Sequence, residues 1–149
     1  MKNTQAVLSV LEDTDVFAGV ASSDLETLLS FDDVKKITLN KGQYVYHHGD
    51  KAEHFWIILS GELISQTTSL RHPFHSLSYF PGDVTGLRGM IDPGQPRPVS
   101  VIADSESELI EIPGRLLMTM DSSVWGKILS NVAKIVLNRL IECHEREDH

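Results

Sequence analysis

The spacing of hydrophobic positions changes period twice along this chain. In the first third it is helical: Ala6, Val7, Val10 and Leu11 recur at intervals that share one helix face, and Val16-Phe17 follows an acidic turn. Ser22-Ser23-Asp24 then offers N-cap side chains, and Glu26 stands three residues after Ser23, the spacing of a capping box. Leu25, Leu28 and Leu29 form one apolar face of a short helix that ends near Ser30 or Phe31. Residues 1–33 are therefore an N-terminal helical segment.

After Asp33 the period falls to two. Val34 to Leu39 reads as a strand, Asn40-Lys41-Gly42 as a turn, and Tyr44-Val45-Tyr46 as a second strand. His47-His48-Gly49-Asp50 is a turn by composition. Phe55 to Leu59 is a buried strand, and Ser60-Gly61 reverses it into Glu62-Leu63-Ile64-Ser65. Leu77 and Tyr79 share a strand face that Pro81-Gly82-Asp83 breaks; Val99, Val101 and Ala103 alternate, as do Glu108, Ile110 and Ile112. About seven or eight short strands with turn signals every 8–12 residues predict a β-roll, sandwich or barrel over residues 34–112.

From Pro113 the helical period returns. Leu116, Leu117 and Met120 suit a short helix, and Ser122 or Ser123 can cap a long one. Along it Trp125, Ile128, Leu129, Val132, Ile135, Val136, Leu140 and Cys143 make a wide apolar stripe. A helix from Ser123 to about Glu147 is roughly 37 Å long at about 1.5 Å per residue. The stripe holds a Trp125/Leu129/Val132/Val136 row and an Ile128/Ile135 row, wider than one docking face needs, which predicts a homodimer through this helix.

Composition narrows the class. The chain has 149 residues, 41% hydrophobic and 23% charged, which fits one soluble domain, residues 1–149, with a substantial core. A net charge of −8 and a pI near 5.2 argue against nucleic-acid and anionic-membrane partners, which need a positive field. The single cysteine, Cys143, excludes an intrachain disulfide and fits a reducing compartment. The longest fully apolar run, Phe55 to Leu59, is far short of the about 20 residues that span a bilayer. The N-terminus meets Glu12, Asp13 and Asp15 and lacks a signal-peptide pattern, so a cytoplasmic location is expected.

Three segments together resemble the cyclic-nucleotide-binding domain family, from about Phe17 to Leu140. They are the Gly42 turn with Gly49-Asp50, the run Phe55-Trp56-Ile57-Ile58-Leu59-Ser60-Gly61-Glu62, and Gly82-Asp83-Val84-Thr85-Gly86 with Arg97 and the Val99–Ala103 strand beyond it. The resemblance implies a β-roll between N-terminal helices and a long C-terminal helix, with residues 82–98 as a phosphate-cassette-like segment. It implies that a short helix starts just after Gly86, where amide N–H groups suit a phosphate, and that Arg97 pairs with the phosphate charge. It further implies ligand-binding roles for Gly86, Leu87, Arg97, Pro98 and Val99, with cAMP or cGMP as the ligand class. Lid contacts from the last helix would fall near Cys143 and His144.

Two positions depart from the family pattern. Leu87 stands where a glutamate accepts a hydrogen bond from the ribose hydroxyl, and Pro98 stands where a small or hydroxyl-bearing residue helps hold the phosphate. An unpaired sugar hydroxyl costs roughly 1–3 kcal/mol and a lost donor to a charged oxygen roughly 1.5–3. Together that is on the order of 10²–10⁴ in affinity. Asp83 matches the acidic position of the family's Gly-Asp turn and is not a replacement for the missing glutamate.

Other chemistry is weakly marked. His47-His48 and His72/His75 lack the further ligands that a metal site needs, and adjacent strand residues face opposite ways. No nucleophile elbow or triad pattern is present, so no enzyme activity is expected, and nothing marks a cofactor or haem ligand. The acidic ending Glu142 to His149 is too short for a DNA-binding unit. Two readings stay open: a stand-alone sensor domain that binds a small anionic ligand and signals through its C-terminal helix, or a dimerisation or partner-docking module of the same fold that binds no ligand.

Overall fold

The computed structural model describes residues 4–66 and 77–147, with side chains described through Glu142. His72 and His75 lie outside the described residues, as do the side chains of Cys143 and His144.

Helix α1 (Thr4–Asp13) buries Val7, Leu8 and Leu11; a 3₁₀ turn at Asp15–Phe17 inserts Val16 and Phe17; helix α2 (Ser22–Leu29) buries Leu25, Leu28 and Leu29. The expected capping box does not form. The helix starts at Ser22 with Ala21 as N-cap, which puts Ser23 inside the first turn, and the N-cap has no side-chain bond. The Ser22 hydroxyl instead donates to Glu12 Oε1 at 2.7 Å, tying α2 to α1.

The central region is all antiparallel. Strands β1 (Lys35–Leu39), β8 (Ser107–Pro113), β3 (His54–Ser60) and β6 (Val84–Thr85) form one sheet in that order. Strands β2 (Tyr44–Tyr46), β7 (Ser100–Ala103), β4 (Leu63–Gln66) and β5 (Ser78–Tyr79) form the other. This is the roll that the period-two segments predict, with β6 added. Val84-Thr85 is too short to show alternation, and β6 exists because Trp56 and Ile57 offer it a paired edge.

The apolar run in β3 is explained by burial on both faces. Phe55 and Ile57 enter a core shared with α1, α2 and the last helix, whereas Trp56 and Ile58 enter the core between the sheets with Tyr46, Leu63, Val101 and Leu109. Strand β8 divides likewise, Ile110 and Ile112 to the first core and Leu109 to the second.

After β8 the expected short helix is a 3₁₀ segment, Gly114–Thr119, that buries Leu116 and Leu117. Helix α4 (Ser122–Glu147) follows. Ile128 and Val132 are buried, and Trp125, Ile135 and Val136 pack partly against the same core. Its polar side is bonded to the N-terminal segment: Asn131 Nδ2 donates to the carbonyls of Val16 at 3.1 Å and Ala18 at 2.9 Å, and Lys127 Nζ to that of Gly19 at 2.8 Å. Apart from Leu129, the two sequence rows thus merge into one core face, with Val132 in it. Among the described residues, the large apolar side chains that α4 leaves exposed are Leu137, Leu140 and Ile141. Among the described residues no helix is long and apolar enough to cross a membrane.

Candidate functional site

Two Gly-Asp turns are closed by the same device. Asp50 Oδ2 accepts from the His47 N–H at 3.0 Å, and Asp83 Oδ2 accepts from the Phe80 N–H at 2.8 Å. Asp83 is thereby a turn residue, as its motif implies. His47 is exposed and stacks on Tyr44 with ring centroids 4.2 Å apart.

The chain then enters helix α3 (Leu87–Ile91) through Gly86, which has φ 87° and ψ 32°. A Cβ there would lie 2.9 Å from Trp56 Cζ3 and 3.1 Å from the His54 carbonyl oxygen, so position and conformation both demand glycine. At Gly89 a Cβ would fall against the same carbonyl. Helix α3 therefore lies flush on the start of β3.

Arg97 is the centre of the site and is almost fully buried, at 3% exposure. Its main chain is fixed by Arg97 N–H to Asp50 O at 2.7 Å and Gly49 N–H to Arg97 O at 2.9 Å. Its guanidinium lies over the rings of Tyr46, at 4.3 Å, and Trp56, at 5.3 Å, while Nη2 donates to the His54 carbonyl at 2.5 Å. Those two rings stack 5.3 Å apart, and Trp56 Nε1 donates to Glu111 Oε1 at 3.1 Å. Arg97 Nε is buried without an acceptor among the described residues. Burial pushes the Arg97 guanidinium below its ordinary pKa, and burial pushes the Tyr46 phenol well above its own, although Thr85 hydrogen-bonds that phenol at 3.0 Å.

Gly86, Leu87, Arg97, Pro98 and Val99 all line one cavity of about 310 Å³. The guanidinium is not simply presented to it: one nitrogen is committed to His54, which modifies the expectation of a free phosphate partner. Leu87 forms part of the wall without filling the space, and Pro98 brings no donor.

The cavity also takes residues that the sequence reading did not single out: Tyr46, Tyr79, Arg88, Ile91, Asp92, Val136 and Arg139 among them. The α4 wall is Val136 and Arg139, about one turn before the expected lid positions. Arg139 Nη2 donates to the Val84 carbonyl at 3.3 Å, and its guanidinium lies 5.4 Å from the Tyr79 ring centroid. A sequence signal existed: Arg139 continues the inward row of Val132, Ile135 and Val136, where a charge is out of place.

The chemistry is that of binding: a buried cation on aromatic faces, two further arginines and an apolar wall around an open cavity. A sequence model of the cyclic nucleotide-binding domain matches residues 36–122, more than half of the chain. No curated protein matches. Among solved structures, a cyclic nucleotide-binding domain from Methylobacillus flagellatus is 18% identical with a TM-score of 0.77, over 95% of this chain and 80% of that one. The catabolite activator protein of Thermus thermophilus is 20% identical with a TM-score of 0.72, over 91% of this chain and 62% of that one. The regulatory domain of Toxoplasma gondii PKA, solved with cAMP, is 18% identical with a TM-score of 0.69, over 85% of this chain and 48% of that one. These three share the fold, and the sequence match over residues 36–122 shows that the chain belongs to the cyclic nucleotide-binding domain family.

Proposed function

We propose that this chain is a regulatory sensor domain that binds a small anionic ligand of the nucleotide class in the Arg97 cavity and signals through α4. One observation carries the reading: the cavity beside the buried Arg97 is open, about 310 Å³, although Leu87 and Pro98 replace two polar positions of the family pattern. A domain that had lost ligand binding has no reason to keep a desolvated guanidinium beside open space. The solved PKA regulatory domain with cAMP makes a nucleotide the natural class to test. Helix α4 suits the relay, because Val136 and Arg139 touch the cavity while Asn131 and Lys127 hold the N-terminal segment.

We further propose that two copies associate through the outer face of α4. Leu137, Leu140 and Ile141 are 57%, 44% and 47% exposed and neighbour one another at helical spacing. The same patch supports the second reading, a docking module without ligand. Thermal unfolding with cyclic and linear nucleotides separates the readings. A ligand that binds only the folded state raises the midpoint with concentration; no shift from any anion at millimolar concentration favours the docking module.

A further inference from the structure

We infer that the cavity selects a ligand with at least two negative charges, a phosphomonoester on a small apolar or aromatic carrier, and that Arg139 of α4 reads the second charge. This rests on the sensor reading and specifies its ligand.

Three arginines line the cavity, Arg88, Arg97 and Arg139, against one carboxylate, Asp92. None of the three is in an ion pair among the described residues. The cluster runs against the chain's net charge of −8. The groups are near enough to act on each other: Arg97 and Arg139 both act on the Tyr46 phenol, and Asp50 favours the charge on Arg97 while Arg88 disfavours it. Grouped cations that outnumber the carboxylates around them in a partly desolvated space favour an anion, and a more highly charged one more strongly. A cyclic phosphodiester offers one negative charge, whereas a phosphomonoester carries about −1.5 to −2 at pH 7.

The bonds already made by the arginines rank their availability. Arg97 is held short and firmly by His54. Arg139 makes a 3.3 Å bond to a neutral carbonyl, beyond the usual range for N–H to oxygen. A phosphate oxygen is a stronger acceptor, so a dianion can draw Arg139 from Val84 with little loss. Arg88 is exposed on α3 and can follow. The carrier meets Leu87, Ile91, Val99 and Val136, none of which accepts a bond from a sugar hydroxyl. About 310 Å³ is at the small end for organic ligands, which limits the carrier to a nucleoside or less.

Calorimetry on the full chain tests this with AMP, the monomethyl ester of AMP, and cAMP. All three carry the same base and sugar; the last two are monoanions. AMP is expected to bind at least about tenfold tighter than either monoanion, and phenyl phosphate to bind as well. Arg139→Gln should reduce the preference for AMP to less than about threefold while the affinity for the methyl ester stays within about threefold. Arg88→Gln, at an exposed position, should narrow the same ratio, and circular dichroism checks that both variants are folded. Monoanions that bind as tightly as AMP overturn the inference and leave the sensor reading standing. Absence of binding by all four compounds overturns both. An unchanged ratio in both variants overturns the role given to Arg139.

Discussion

Arg97 and His54 are joined side chain to main chain: the guanidinium Nη2 donates to the His54 carbonyl at 2.5 Å, at the point where α3 also presses on β3. One residue therefore fixes the cavity floor and supplies its deepest cation. The bond satisfies only part of the guanidinium, because Nε is buried without an acceptor among the described residues.

Fold and binding are expected to separate at this residue. Replacing a buried, incompletely paired charge by an apolar side chain of similar length is often neutral or stabilising. Arg97→Met should shift the unfolding free energy of the ligand-free chain by no more than about 1 kcal/mol and should remove anion binding. Urea unfolding measures the first and calorimetry the second. A loss above about 3 kcal/mol would show Arg97 to be chiefly a structural clamp.

Gly86 is expected to resist substitution. Gly86→Ala places a Cβ 2.9 Å from Trp56 Cζ3 in a backbone conformation with φ 87°. Strain in that region and displacement of the indole together cost about 2–4 kcal/mol. Denaturant unfolding gives the loss, and a shifted tryptophan emission would report the moved indole. An unchanged midpoint would mean that α3 can lift off β3.

Alkaline pH should act through Tyr46. Its phenol is buried and pushed well above the ordinary value near 10. The unfolded chain releases this proton near pH 10, while the folded chain keeps it, so the unfolded state binds fewer protons and stability falls as pH rises above about 10. The slope from one such group approaches about 1.4 kcal/mol per pH unit. Tyr46→Phe should start less stable, having lost the Thr85 partner, but should show a shallower decline between pH 9.5 and 11. Parallel slopes would assign the alkaline loss to other groups.

How far the sequence could be read depends on how each feature is encoded. The β3 strand was legible because burial on both faces leaves an unbroken apolar run from Phe55 to Leu59. The expected cap at Ser23 failed because the choice between Ser22 and Ser23 is settled by a tertiary partner, Glu12, that no local pattern contains. The cassette residues Gly86, Leu87, Arg97, Pro98 and Val99 were found together because they are close in sequence and follow a family pattern. Arg139 lies forty residues further on and reaches the cavity only once α4 has docked. The α4 stripe did not show that Val132 belongs to the core, because helical spacing gives a stripe's width but not which edge faces the core.

The outer face of α4 should govern association. With Val132 in the core, Leu137 and Leu140 are the positions at which to test the dimer. The double variant Leu137→Glu/Leu140→Glu should keep the unfolding midpoint of the chain and, by light scattering, give the mass of one 16.6 kDa chain where the parent gives twice that. A parent that is monomeric at micromolar concentration ends the dimer proposal and leaves the patch to another partner.

The two departures from the family pattern should be reparable. Leu87 is the first residue of α3 and lines the cavity, so Leu87→Glu would put an acceptor beside a sugar hydroxyl. Pro98 follows Arg97 on the same wall, so Pro98→Ser would restore a main-chain N–H and a hydroxyl next to the phosphate. The glutamate also adds a negative charge among Arg88, Arg97 and Arg139, which lowers the preference for a dianion and favours the singly charged cyclic phosphate. Loss of the Leu87 contact with the core should cost the ligand-free chain about 1 kcal/mol, since the side chain is only half buried. The double variant should bind cAMP at least about tenfold tighter than the parent, equivalent to about 1.4 kcal/mol. Adding Arg97→Met should remove that gain, because the new donors act on a phosphate that the buried cation first holds. Calorimetry on the parent, double and triple variants decides the matter. Tight cAMP binding by the parent would show that Leu87 and Pro98 are no obstacle, and an unresponsive double variant would show that the arginine cluster, and not the two lost polar groups, sets the ligand.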